Sequence, residues 1–207
     1  MNFNYESFRE FTDKEEAAQW GKEHYGNWMP QLQDQNYKPI TPAEHFFREY
    51  TQGTHYIYNR ILRDSTIDKY DFEDSTVTKE MFIEGVNEIN KQHLSEDILV
   101  YRYVDSDLLK EMKIWSGVRL IKRNSILTDR GFFSTTLSLD SVSTRDYATF
   151  KYHSLFYIYV PKGTPCTYVD LVSDMHENEL LFAPNIKLKI LGNYWFGKYI
   201  MCVVVND

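Results

Sequence analysis

The hydrophobic residues of this 207-residue chain follow two different periods, one on each side of about residue 98. Upstream, apolar positions recur every three to four residues, as they do on one face of a helix. Met81, Phe82, Val86 and Ile89 form such a stripe, which predicts a helix over 76–91. Thr12 and Glu15 stand at capping-box spacing and predict a helix reaching about Lys22. Thr41-Pro42-Ala43-Glu44 repeats that spacing with proline at the first helical position, opening a helix to about Tyr50. Gly53 then breaks the chain, and His55 to Arg63 reads as a further short helix. Downstream, runs of β-branched and aromatic residues predict strands at 98–104, 131–137, 155–160, 179–182, 186–191 and 199–205. Pro161-Lys162-Gly163, Pro184-Asn185 and Gly192-Asn193 read as turns between them. Helices followed by strands indicate an α+β fold rather than alternating α/β. The length suits one domain over 1–207, with 1–97 mainly helical and 98–207 mainly β.

Several function classes drop out early. The longest purely apolar run is Ile200 to Val205, whereas a membrane-spanning helix needs about 20 residues. The N-terminus lacks a basic region followed by an apolar one, so no secretory signal is expected. Cys166 and Cys202 form no CxxC pair, and the six histidines show no HExxH or HxxxH spacing, so no zinc site is expected. The net charge of −7 argues against a dedicated nucleic-acid binder. That charge is uneven: residues 1–97 hold 19 acidic and 10 basic side chains, and residues 98–207 hold 11 and 13. An anionic small molecule would therefore be hosted by the second half. Gly192-Asn-Tyr-Trp-Phe-Gly197-Lys198 fits GxxxxGK. Tyr199 stands where the magnesium-binding hydroxyl belongs, and a strand follows where a helix should open, so a β-hairpin is expected there.

Three features carry chemistry. Glu177-Asn178-Glu179 sits at the edge of a predicted strand, where residues i and i+2 face the same side about 6.6 Å apart at Cα. Such a pair can divide labour, one carboxylate stabilising a cationic sugar transition state and the other engaging an acceptor. A chain with 15 Glu also produces about one such pair by chance. Ser134-Thr135-Thr136 follows Gly131-Phe132-Phe133. A hydroxyl there can hold a carboxylate in one rotamer, or the run is an ordinary threonine-rich strand. Arg102 lies within Val100-Tyr101-Arg102-Tyr103-Val104. A charge inside an apolar strand needs a phosphate or carboxylate partner, unless the strand is an edge and the arginine faces solvent.

In this order, the three features resemble the catalytic signature of the arginine-specific ADP-ribosyltransferase toxins. That family carries an aromatic-Arg strand, a Ser-Thr-Ser strand and a Glu-x-Glu pair, and the catalytic domains of the actin-modifying bacterial binary toxins are the nearest in kind. Trp20-Gly21-Lys22, Tyr50-Thr51, Asn59-Arg60-Ile61-Leu62-Arg63 and Val160-Pro161-Lys162-Gly163-Thr164 extend the resemblance over roughly Phe11 to Val205. It implies N-terminal helices packed against a two-sheet, mostly antiparallel β core.

The resemblance also implies an activity: cleavage of the nicotinamide–ribose bond of NAD, with transfer of ADP-ribose to an arginine of a target protein such as actin. Glu179 would stabilise the oxocarbenium-like ribose, Ser134 would hold Glu179, and Glu177 would engage the acceptor guanidinium. Arg102 would grip the pyrophosphate, with Tyr101, Tyr103, Thr135, Asn59, Tyr50 and Phe150 completing the dinucleotide site. No metal is required. The family setting implies a toxin that is secreted or delivered into a target cell, with a separate translocation component as partner. The chain departs from the pattern at Thr136, Tyr103, His55 and His153, and by lacking an aromatic in Val172-Ser173-Asp174-Met175-His176. That last departure keeps open an NAD glycohydrolase, with water as acceptor. A non-catalytic adaptor of the same fold is the further alternative, although adaptors lose the charged residues retained here.

Overall fold

The capping box at Thr41 forms as its spacing requires. The Thr41 side chain accepts from the Glu44 amide at 3.2 Å, and the Glu44 carboxylate accepts from the Thr41 amide at 3.0 Å. In the computed structural model, which describes residues 4–63, 78–105, 108–109, 122–141, 153–173, 175–195 and 198–205, four α-helices are present: α1 (Lys14–Tyr25), α2 (Pro42–Glu49), α3 (His55–Arg63) and α4 (Lys79–Lys91). The cap of α1 is Asp13, not Thr12: its carboxylate accepts from the Glu16 amide at 2.8 Å, and the helix continues to Tyr25. A carboxylate one residue nearer the helix makes the N-cap bond, with favourable dipole electrostatics. Between α2 and α3 the chain makes one wide π turn, Tyr50–Thr54, that Gly53 permits with φ 112°.

The strands are β1 (Ile98–Asp105), β2 (Ile126–Asp129), β3 (Phe133–Thr136), β4 (His153–Val160), β5 (Thr167–Tyr168), β6 (Glu179–Phe182), β7 (Ile186–Tyr194) and β8 (Tyr199–Val204). They form one sheet in the order β2-β7-β8-β4-β1-β3-β6-β5. This corrects the two-sheet expectation. Every pairing is antiparallel except β4 with β8. The two expected halves are joined by a single register position, Tyr101 opposite Thr136, whereas β1 pairs with β4 along its full length. The sheet is therefore continuous in hydrogen bonding but weakly stitched between β1 and β3. Gly192-Asn193 is not a turn: both residues lie within β7, which bulges between Ile190 and Gly192 and runs on to Tyr194. A β-hairpin does occupy the GxxxxGK stretch.

Three apolar clusters hold the layers together. The largest joins α1 to the sheet through Phe11, Trp20, Tyr25, Val100, Phe156 and Ile200. The second gathers Phe46, Phe47, Tyr50, Tyr58 and Ile89 of the helical half onto Phe132 and Leu181. The third covers the other parity of β1, with Leu99 and Tyr101 against Leu155 and Tyr159. Gly21 matters to the first of these. A Cβ there would lie 2.5 Å from the Tyr168 ring, which is fully buried. Gly21→Ala is expected to destabilise the protein by about 1–3 kcal/mol, read as a lower urea midpoint with unchanged slope. An unchanged midpoint would mean that Tyr168 is free to move.

Candidate active site

The weak seam between β1 and β3 opens beside a cavity of about 470 Å³. That size suits a small-molecule ligand, since such sites run about 300–1,000 Å³. Its walls come from the π turn after α2, from α3, β1 and β3, and from the turn leading into β6. Tyr50, Asn59, Tyr101, Arg102, Tyr103, Ser134, Thr135, Glu177 and Glu179 all border it. Phe150 lies outside the described residues.

Arg102 shares the parity of Val100 and Val104 in a central strand, so it is not a solvent-facing edge arginine. Its guanidinium donates to the Ser134 carbonyl oxygen at 2.6 Å and stands 4.4 Å over the Phe133 ring centroid. The bond to Ser134 falls beyond the single register position at which β1 and β3 pair. Among the described residues no carboxylate forms an ion pair with Arg102. Burial lowers its pKa and Asp129 is the main opposing influence, yet a guanidinium stays charged. Asp129 itself is committed to Arg63 through two 2.8 Å bonds. The cavity thus holds a fixed cation with donors to spare.

Glu179 begins β6 and pairs with Thr136, which puts it beside Ser134 on the neighbouring strand. Burial pushes its carboxyl up to about 7; the Ser134 hydroxyl, within hydrogen-bonding reach, opposes this, and Glu177 and Asp170 add to it. Glu177 borders the same cavity, but not by strand alternation. The strand begins only at Glu179, and His176 and Asn178 both adopt left-handed backbone, at φ 54° and 52°. Asn tolerates that conformation. The Asn178 side chain is buried and accepts from the Tyr168 hydroxyl at 2.7 Å while donating to the Lys14 carbonyl at 2.9 Å. The Thr136 hydroxyl donates to the Glu177 carbonyl oxygen at 2.6 Å, tying the end of β3 to the glutamate turn.

Other expected residues have supporting parts. Asn59 accepts from the Phe132 amide at 2.7 Å, tying α3 to β3, and its side chain also bonds the Tyr50 hydroxyl. Burial raises the Tyr50 pKa, so this hydroxyl stays protonated. The Thr135 hydroxyl donates to the Leu180 carbonyl at 3.0 Å. Tyr101 sends its side chain to the opposite face of the sheet, where its hydroxyl donates to Glu10 and its ring packs on Tyr157. Tyr103 has the same parity and packs in the same cluster. Both border the cavity without aiming their rings at Arg102. Sequence reasoning missed Thr51 and Asp170. The Thr51 hydroxyl has one proton and three carbonyls in reach, Phe47 at 3.0 Å and Arg48 and Val172 each at 3.2 Å, so it lies between its own helix and the segment after β5. Asp170 follows β5, a strand two residues long that no run of apolar residues announces.

A guanidinium with no ion pair among the described residues and a carboxylate with a raised pKa beside Ser134, facing one cavity, suit a ligand that is anionic at one end and becomes cationic at the other. Comparison with known proteins shows what the fold resembles. Among curated proteins no sequence matches. Solved structures do match. Plx2a, an ADP-ribosyltransferase toxin from Paenibacillus larvae, is 24% identical with TM-score 0.67 over 94% of this chain and 98% of that one. The C3 exoenzyme of Clostridium limosum is 16% identical with TM-score 0.71, over 97% and 98%. BECa of a binary enterotoxin of C. perfringens, solved with NADH, is 20% identical with TM-score 0.68, over 94% of this chain and 49% of that one. The family model for the ADP-ribosyltransferase exoenzymes matches residues 17–198, and the chain belongs to that family.

Proposed function

We propose that the protein cleaves NAD and transfers ADP-ribose to an arginine side chain of a target protein, acting as a toxin or effector. The observation that carries this reading is the convergence of Arg102, Ser134, Glu177 and Glu179 on one cavity. NAD supplies a bond whose cleavage releases neutral nicotinamide and leaves positive charge on the ribose. The Arg102 guanidinium fits the pyrophosphate, because it has unused donors and no carboxylate partner among the described residues. Glu179, once ionised, faces the developing cation and accepts from a ribose hydroxyl. The Ser134 hydroxyl keeps that carboxylate aimed. Glu177 offers an acceptor guanidinium a carboxylate to pair with, which positions its nitrogen for attack. Tyr50 and Asn59 close the helical wall and exclude water. No step calls for a metal.

Actin is the first target to assay, because the sequence resembles toxins that modify it. A separate translocation component fits the same setting. Incubating the protein with labelled NAD and cell lysate tests the reading. A labelled protein whose label is linked through arginine supports it, and no labelling with no nicotinamide release defeats it. Glu177→Gln is expected to reduce arginine transfer by at least about 100-fold while NAD hydrolysis stays within about tenfold. Equal loss of both activities contradicts the role given to Glu177. The exposed Met175, in the turn where relatives carry an aromatic, favours a second reading, the NAD glycohydrolase. Free ADP-ribose without labelled protein would establish it.

A further inference from the structure

Strand alternation does not bring Glu177 and Glu179 together, so something else must fix the turn that carries them. The Asp170 carboxylate is placed to do this. It accepts from the Glu177 amide at 2.8 Å, and the nearby Glu179 amide lowers its pKa. The Tyr168 hydroxyl donates to Asn178 at 2.7 Å and lies 3.4 Å from the Asp170 carboxylate. Glu177 and Asn178 are thus both held from β5 and the residues just after it. Asp170 does not border the cavity that holds Arg102. It borders a separate groove behind the turn, together with Lys14, Lys22 and His176.

We propose that Asp170 is the positioning residue of this site, holding the Glu177 amide beside the Tyr168–Asn178 bond and so setting where both glutamate side chains enter the cavity. It touches no substrate. The physical reason is the acceptor itself: an oxygen fixed at the Glu177 amide pins the backbone there, and the charge strengthens that bond without being required for it. The groups that face Asp170 are His176, Glu177, Glu179 and Tyr168. Those that face Glu179 are Ser134, Glu177, Asp170 and Arg102 of the β half and Tyr50 of the helical wall. Asp170 therefore has a second, electrostatic effect: its charge raises the pKa of Glu179. The catalytic part of the inference rests on the NAD reading above, and the positioning part does not.

The test compares wild type, Asp170→Asn and Asp170→Ala. The asparagine keeps an oxygen that accepts the Glu177 amide and lacks the charge. In the protein without NAD, hydrogen exchange at the Glu177 amide is expected to quicken by about tenfold or more in the alanine variant and far less in the asparagine variant. Glu179, followed by carbon-13 NMR with Glu179→Gln to assign its carboxyl, is expected to titrate at lower pH in both variants. With NAD, kcat for nicotinamide release should fall on the order of 10–100-fold in the alanine variant, with KM within about threefold, and asparagine should restore most of it. A purely structural role would instead lower the unfolding midpoint and leave the Glu179 titration in place. Unchanged amide exchange in the alanine variant, or an asparagine variant as impaired as alanine, overturns the proposal. Absence of nicotinamide release from wild type, with the exchange and titration results as expected, overturns the NAD reading alone.

Discussion

Glu179→Gln is expected to abolish both the proposed ADP-ribose transfer and NAD hydrolysis, with a loss of at least about 100–1,000-fold in kcat. The amide keeps the shape and the contact with Ser134 but carries no negative charge to set against the ribose cation. Because transfer and hydrolysis share the bond-breaking step, they should fall together. The wild-type rate should depend on pH in a related way. The active form is the carboxylate, so activity rises with pH and levels off above about 7, where Glu179 ionises. Stability should run the other way. The folded-state value lies above the unfolded one, so the stability this group contributes is present below the unfolded pKa and is lost as pH rises through about 7. Glu179→Gln should therefore stabilise the protein at pH 8, by an amount on the order of 3 kcal/mol at most, and hardly at all at pH 4. A mutant that is inactive yet more stable at alkaline pH is the signature of a buried functional charge. A mutant equally stable at both pH values would show that Glu179 is not strained by burial.

Arg102 should give the second large effect, on binding. Arg102→Ala is expected to raise KM for NAD on the order of 100-fold, if the proposed charge-assisted contact with the pyrophosphate is made. Arg102→Lys keeps the charge but neither the fork nor the flat stack on Phe133, so it should recover only part of the affinity. Arg102→Met should leave unfolding free energy within about 1 kcal/mol of wild type. It leaves the Ser134 carbonyl without its donor but relieves a buried cation that has no ion pair among the described residues. Titration calorimetry with NAD, paired with urea unfolding, reads both quantities. A severe stability loss with unaltered NAD affinity would make Arg102 a structural residue of the β1–β3 seam.

The parts of this fold that sequence made legible are those where one residue type has one physical use. Thr41 and Glu44 cap a helix, and the apolar runs at 98–104 and 199–205 form central strands. Arg102 stood out because a charge in such a run is costly unless compensated. The parts that stayed hidden depend on tertiary neighbours. β5 is two residues long and exists because Thr167 and Tyr168 pair with Leu181 and Leu180. The joining of two expected sheets into one turns on a single pairing, Tyr101 with Thr136, which no periodicity signals. The glutamate pair was found for a reason that the structure replaces, since left-handed backbone at His176 and Asn178, not alternation, presents it to the cavity. Tyr101 and Tyr103 border the cavity, yet as strand neighbours of Arg102 they pack in the cluster on the other face of β1.

The central claim is that one cavity binds NAD through Arg102 and cleaves it through Glu179. Nicotinamide release from NAD, measured side by side for wild type, Arg102→Ala and Glu179→Gln, tests it most directly. The account predicts turnover by wild type, turnover by Arg102→Ala only at much higher NAD concentration, and none by Glu179→Gln although NAD still binds. Wild-type rates in the glutamine variant would contradict it.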